Sequence, residues 1–205
     1  MERYPRLPTD TDDGLLLIIS GPSGVGKTTI TRAVERNIPG SIFSVSATTR
    51  APTPADVEGV DYHFVSDEQF QAMIDAGQFL EWADVFGKRY GTPRLWVQEQ
   101  LARGRLVILE IDVRGAAQVK EQMPDAFALF ILPPGEEELL ERLRSRKRES
   151  EDVIQRRYAE AKREIAEARA GGVYDEFIVN EDLDEAIART LRVVNEARAR
   201  RRTPR

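Results

Sequence analysis

Nine residues, Gly21-Pro22-Ser23-Gly24-Val25-Gly26-Lys27-Thr28-Thr29, carry the spacing G-x-x-x-x-G-K-[ST] through Gly21, Gly26, Lys27 and Thr28. Glycines let a backbone curl until successive N–H groups face one anion, and a helix starting at the loop's end adds partial positive charge. Lys27 is expected to reach the β- and γ-phosphates of a nucleoside triphosphate, and the Thr28 hydroxyl to ligate Mg²⁺. ATP or GTP is therefore the expected ligand class. Glu110 and Asp112, two apart at the end of an apolar run, direct both carboxylates to one side by strand alternation. They could hold the water shell of Mg²⁺ or accept hydrogen bonds from a base; two acids at a solvated strand end is the alternative. Arg142, Arg144, Arg146 and Arg148 crowd a later helix end, and Arg156 and Arg157 follow. Movable arginines of this kind neutralise the charge of phosphoryl transfer and exclude water. Only one or two of them are expected to act, the rest forming a solvated face with Glu149, Glu151 and Asp152.

These residues need a scaffold, and the chain spells one out. Leu15 to Ser20 is an unbroken aliphatic run, as expected of a strand covered on both faces in a parallel sheet. Leu106 to Asp112 and Ala126 to Leu132 share that character, and Ser41 to Ser46 and Glu176 to Asn180 carry it more weakly. Amphipathic segments between them predict helices from Gly26 to about Arg36, from Pro93 or Leu95 to Arg103, and over Ala116–Gln122, Glu136–Arg146, Asp152–Ala170 and Asp182–Arg202. Ser66 with Gln69 predicts a capping box opening a short helix that ends near Gly77. The alternation predicts an α/β three-layer fold with a central parallel sheet, interrupted by a small inserted lobe. Residues 1–13 are read as a flexible leader, and the basic end from Arg198 as a frayed helix terminus.

Composition narrows the function classes. The 205 residues suit one compact domain, and the net charge of −5 disfavours a protein built to coat nucleic acid or anionic membrane. With no cysteine there is no disulfide, thiolate zinc site or thiol nucleophile, and His63 as the single histidine leaves no His-rich metal site. His63 is read as packing or surface. No apolar run reaches the roughly 20 residues of a membrane span, and a cytoplasmic location is expected. Five lysines among the 30 basic residues leave 25 arginines, so no single arginine is informative by type alone.

The loop alone does not name the reaction. Asp112-Val113-Arg114-Gly115 fits the D-x-x-G of a switch GTPase, but the chain has no N-K-x-D; Asn180-Glu181-Asp182 lacks the lysine. Ser44 to Ser66 (SVSATTRAPTPADVEGVDYHFVS) followed by Phe79 to Pro93 (FLEWADVFGKRYGTP) closely resembles the guanylate kinase family. The likeness runs from about Leu15 to Arg192, with phosphate loop, lobe, acidic strand end, arginine lid and terminal Ile-Val-Asn strand in order. It implies a core of about 14–46 and 94–205, a GMP-binding lobe of about 47–93 and a lid of about 142–160. It implies transfer of the ATP γ-phosphoryl group to GMP, and to dGMP, giving ADP and GDP with Mg²⁺, a step of purine nucleotide metabolism.

The resemblance also implies roles. The loop from Gly21 to Thr29, with Asn180 and Glu181 beside the adenine, binds ATP. Ser46, Glu81 and Thr92 hydrogen-bond the guanine, and Arg50, Tyr62 and Tyr90 clamp the GMP phosphate. Glu110 and Asp112 face the guanine and the metal region. Lys27, Arg50, Arg146 and Arg157 carry the catalysis.

The chain departs from the family's T-T-R-x-P-R-x-G-E, reading Thr48-Thr49-Arg50-Ala51-Pro52-Thr53-Pro54-Ala55-Asp56, so Thr53 stands where a second phosphate-clamp arginine is usual. Loss of one charge-assisted contact costs about 1.5–3 kcal/mol, or roughly ten- to a hundredfold in GMP use, so a weakened grip is expected. Arg146-Lys147-Arg148 replaces the common R-G-T, and this extra lid charge is a candidate compensation. Two rivals remain: another small-molecule P-loop kinase of the ribosyl-bisphosphate type, and a guanylate-kinase-like interaction module. A sugar phosphate needs no guanine-reading set, and interaction modules characteristically lose the phosphate loop that is complete here.

Overall fold

The computed structural model describes residues 14–85, 87–145 and 150–202. The leader and the lid residues Arg146, Lys147 and Arg148 lie outside the described residues.

At the centre is β1 (Leu15–Ser20), every residue of it buried. Alternate side chains feed two separate cores. Leu15, Leu17 and Ile19 pack with Ile30 and Val34 of α1 (Lys27–Asn37) and Val194 of α7 (Leu183–Arg202). Leu16 and Ile18 pack with Val97 of α3 (Arg94–Ala102) and Val113 and Val119 of α4 (Val113–Gln122). A strand with helices on both faces has no polar side, which is why its sequence lacks alternation. Each such Leu, Ile or Val contributes about 1.5–3 kcal/mol by leaving water. β7 (Leu106–Glu110) and β8 (Phe127–Leu132) flank β1 in parallel, with β2 (Ser41–Phe43) and β9 (Glu176–Val179) outside them, in the order β2-β7-β1-β8-β9. The chain leaves β1 for one edge and fills the other side later, so a crevice opens beyond the carboxyl end of β1, above the phosphate loop.

A second sheet, β4-β3-β6-β5, comprises β3 (Ala47–Thr48), β4 (His63–Phe64), β5 (Phe79–Val85) and β6 (Lys88–Pro93). Its own core is Ala47, Phe70 and Phe79, with the two phenylalanine rings stacked at 4.6 Å between centroids. Phe70 belongs to α2 (Asp67–Asp75), which opens on the expected capping box of Ser66 and Gln69. Two glutamines one turn apart on α4 tie this sheet to the larger one. Gln118 exchanges hydrogen bonds with the N–H and carbonyl of Trp82 (3.2 and 3.1 Å), and Gln122 donates to the Leu80 carbonyl (2.6 Å).

The segment expected to form a lid, about 142–160, spans the end of α5 (Glu136–Ser145) and the first half of α6 (Glu151–Ala170). One boundary differs from expectation in a way that affects the site. The strand expected to reach Asp112 ends at Glu110, and the helix expected from Ala116 begins at Val113. Asp112 is its N-cap, accepting from the Gly115 N–H at 2.7 Å. The D-x-x-G spacing is thus a capping turn. Among the described residues no helix is long and apolar enough to cross a membrane.

Candidate active site

The phosphate loop is built by backbone constraints. Gly26 caps α1 with φ 97°, in the left-handed region, and a Cβ there would stand 2.6 Å from Asn180 Nδ2. That amide, buried beside β9, donates to the Val25 carbonyl at 2.7 Å, so it braces the loop from beneath. Lys27 Nζ donates to the Gly21 and Pro22 carbonyls at 2.6 and 3.0 Å, which holds its charge at the loop's mouth. The Thr28 hydroxyl donates to Glu110 Oε1 at 2.9 Å. Hydroxyl and carboxylate converging at a phosphate-binding mouth are hard oxygen donors, the set Mg²⁺ takes when nucleotide phosphates and water complete its shell. Among the described residues no group of three or more acidic or histidine side chains could hold a metal ion.

Glu110 and Asp112 therefore part company. Glu110 is joined to Thr28, whereas Asp112 turns with the cap of α4 toward Glu81. A Cβ on Gly115 would stand 2.9 Å from Glu81 Oε2 and 3.3 Å from Asp112 Oδ1, so both carboxylates border one spot at the helix start.

Glu81 on β5 is 6% exposed and accepts from the Thr92 hydroxyl of β6 at 2.5 Å. Burial pushes its carboxyl up to about 7, and the nearby Asp112 charge pushes the same way against the Thr92 bond. Ser46 lies just before β3, half-buried, its carbonyl accepting from the His63 N–H at 2.9 Å. A buried carboxylate with few partners is costly without a ligand. Because the folded value lies above the unfolded one, stability is full below about pH 4.5 and falls as pH rises through about 7. The cost above that is on the order of 3 kcal/mol. Glu81→Gln is accordingly expected to stabilise the unliganded chain by up to about that amount at pH 8 and by almost nothing at pH 4. Urea unfolding at the two pH values measures the difference.

On the smaller sheet, Arg50, Tyr62 and Tyr90 come together. The Arg50 guanidinium lies over the Tyr62 and Phe64 rings at 5.1 and 5.5 Å, and the Tyr62 and Tyr90 rings meet edge-on at 5.6 Å. Burial pushes the Tyr62 hydroxyl up. Arg50 is also gripped by Asp56, with Nη1 to Oδ2 at 3.0 Å and Nη2 to Oδ1 at 2.8 Å.

Four of the six arginines singled out in the sequence, Arg142, Arg144, Arg156 and Arg157, lie among the described residues, and they make different contacts. Arg157 of α6 donates to the Ser23 hydroxyl in the phosphate loop. Arg142 donates to the Asn180 carbonyl at 2.9 Å, extending the brace under the loop. Arg144 pairs with exposed Glu151, and Arg156 bonds the Asp152 carbonyl of its own helix. Asn180 is thus committed to the loop, while Glu181 is exposed.

Two residues escaped the sequence reading. Asp56 was seen only as a departure from a motif. Glu164 lies seven residues, two turns, after Arg157 on α6, and burial pushes its carboxyl up to about 7 against the pull of Lys27. Helical spacing from Arg157 was its one available signal, and the charge density of α6 hides it.

Residues 14–197 match the family model described as guanylate kinase. The chain belongs to the guanylate kinase family. It is 49% identical over 187 residues to the guanylate kinase of Symbiobacterium thermophilum, covering 91% of this chain and 87% of that one. It is 52% identical over 174 residues to that of Thermosynechococcus vestitus, covering 85% and 90%. The crystal structure of guanylate kinase from Anaplasma phagocytophilum superposes with a TM-score of 0.68 at 34% identity, over 93% of this chain and 87% of that one. The central parallel sheet and its flanking helices are therefore those of a guanylate kinase fold.

Proposed function

We propose that this chain is an ATP:GMP phosphotransferase that converts ATP and GMP to ADP and GDP and also accepts dGMP. The observation that carries this reading is the buried Glu81–Thr92 pair bordering the same crevice as an intact phosphate loop, in a chain of this family. Guanine offers a ring N–H and an exocyclic amine to a carboxylate acceptor. Adenine would leave that carboxylate unpaired in a partly dry site, which is a strong basis for rejection. The same pair argues against a sugar-phosphate acceptor.

In this reading residues 47–93 hold GMP, with Ser46, Glu81, Thr92 and Asp112 on the base and Arg50, Tyr62 and Tyr90 on the phosphate. The loop from Gly21 to Thr29 holds the ATP phosphates. Thr28 and Glu110 would hold Mg²⁺, which when bound would supply charge neutralisation for the phosphates. Lys27 and Arg157 stabilise the transferring phosphoryl group, and Arg146 joins them from the lid of about 142–160. Asn180 supports ATP binding by bracing the loop, and Glu181 borders the adenine. No general base is needed, because the GMP phosphate is already an anionic nucleophile. Catalysis then consists of alignment and charge neutralisation, which a chain with one histidine and no cysteine can supply. The test is formation of GDP and ADP in equal amounts from GMP and ATP, stopped by chelating the divalent ion; ATP consumption independent of GMP would refute it.

A further inference from the structure

The residues that replace the family's usual phosphate-clamp arginine are not a gap. Thr53-Pro54-Ala55-Asp56 forms a tight turn closed by the Asp56 N–H on the Thr53 carbonyl at 3.1 Å, with Pro54 in the position whose fixed φ suits such a turn. The turn folds the Asp56 side chain back, so that Oδ2 accepts from both the backbone N–H and the hydroxyl of Thr53, each at 2.6 Å. Capped in this way, the carboxylate meets Arg50 side by side through Nη1 and Nη2. The remaining Nη1 hydrogen goes to the Ala51 carbonyl at 3.1 Å. Arg50 and these Thr53 bonds together hold the Asp56 carboxyl well below the usual carboxylate range, and the Asp56 side chain is only 14% exposed.

A guanidinium has two edges able to make paired hydrogen bonds, and Asp56 uses one of them. Among the described residues nothing accepts from the other, made of Nε and the second Nη2 hydrogen. Tyr62 and Phe64 beneath the plane restrict rotation of the group. The Tyr62 ring, and Tyr90 beyond it, place two phenols on the same side of the sheet.

We propose that Asp56, held by Thr53, is a positioning residue of the acceptor-phosphate subsite, fixing Arg50 by one edge so that its Nε/Nη2 edge receives the phosphate of the nucleoside monophosphate. Thr53 is then the partner that lets the shorter Asp56 reach Arg50, and this pre-set geometry offsets the missing second arginine. A guanidinium held in place loses less conformational freedom on binding phosphate, and that difference enters affinity directly. The inference rests on the proposed use of GMP as acceptor.

The test compares binding of GMP with binding of guanosine, by calorimetry, in the wild-type chain and in Asp56→Asn, Thr53→Val and Thr53→Ser, with GMP turnover measured on the same samples. Asp56→Asn is expected to weaken GMP by about ten- to a hundredfold, the value of a charge-assisted contact, and to leave guanosine unchanged. Thr53→Val, which removes only the hydroxyl, is expected to weaken GMP by roughly three- to tenfold, and Thr53→Ser to stay within about twofold of wild type. If Asp56→Asn does not fold, the two Thr53 variants carry the comparison. GMP affinity unchanged or tightened in Asp56→Asn, or an equal loss with guanosine, would overturn the proposal; so would a Thr53→Ser variant as weak as Thr53→Val. A wild-type chain that binds GMP in this pattern but does not phosphorylate it would leave the positioning role standing and refute the proposed activity. A wild-type chain that binds no GMP would refute both.

Discussion

Lys27→Ala is expected to lower kcat by about a thousandfold or more while leaving the far-ultraviolet spectrum and unfolding midpoint close to wild type. The two halves of that expectation have separate causes. The Lys27 ammonium is fixed at the loop's mouth by the Gly21 and Pro22 carbonyls, where the proposed reaction passes the phosphoryl group. In the proposed mechanism no general base acts, so removing this positive charge is expected to remove a principal source of rate. The loop itself does not depend on that charge for its shape. Gly26 in its left-handed conformation and the Asn180 amide on Val25 still shape the backbone, and alanine at the first residue of α1 is a good helix former. Near-normal turnover in this variant would mean that the ammonium does not act on the phosphoryl group. A lost fold would mean that its bonds to the loop are structural.

The second large effect belongs to Glu81. Glu81→Gln keeps size and keeps an acceptor for Thr92, but it presents an amide N–H₂ where the guanine donors need a second acceptor. A buried site that leaves donors opposed in this way discriminates by factors of about a hundred to ten thousand, and we expect kcat/KM for GMP to fall within that range. The KM for ATP should not change. A pH signature accompanies the loss. Burial raises the Glu81 carboxyl to about 7 in the free protein, and only the ionised form accepts two hydrogen bonds. In the wild-type chain kcat/KM for GMP should therefore fall as pH drops below about 7, since this ratio reports free-enzyme groups. That limb should vanish in Glu81→Gln, leaving only the protonation of the substrate phosphate near about 6. An unaltered acid limb in the variant would assign the titration to another group, with Glu164 as the first to examine.

The legibility of this protein in its sequence followed the range of the forces involved. β1 was plain because a strand buried on both faces has one simple pattern, an unbroken aliphatic run, and the phosphate loop was plain because its glycines and Lys27 are contiguous. The capping box at Ser66 and Gln69 was equally local. Asp112 was misplaced by a few residues for a related reason: Val113 and Gly115 are poor helix formers, and the cap that overrides them is visible only when its side chain is seen on the Gly115 N–H.

The separation of Glu110 toward Thr28 and Asp112 toward Glu81 was invisible, since alternation assumed a strand that had already ended. The Asp56 grip on Arg50 was hidden differently. Both residues were noticed, one as a ligand and one as a departure, but the pairing depends on a turn that reverses the chain at Pro54. Glu164 comes near Lys27 through the packing of α6, which its spacing from Arg157 signals only faintly among the many charges of that helix, and the bond by which Asn180 braces Val25 depends on the packing of β9 beside the loop.

In the proposed reaction a guanine base selects the acceptor. This selection is tested most directly by ADP release with MgATP and each of GMP, dGMP, AMP, CMP, UMP and a ribosyl bisphosphate at equal concentration. Turnover is expected with GMP and dGMP and none above background with the others. Inactivity with GMP alongside turnover of another acceptor would contradict it, and would assign the Glu81–Thr92 pair to something other than guanine.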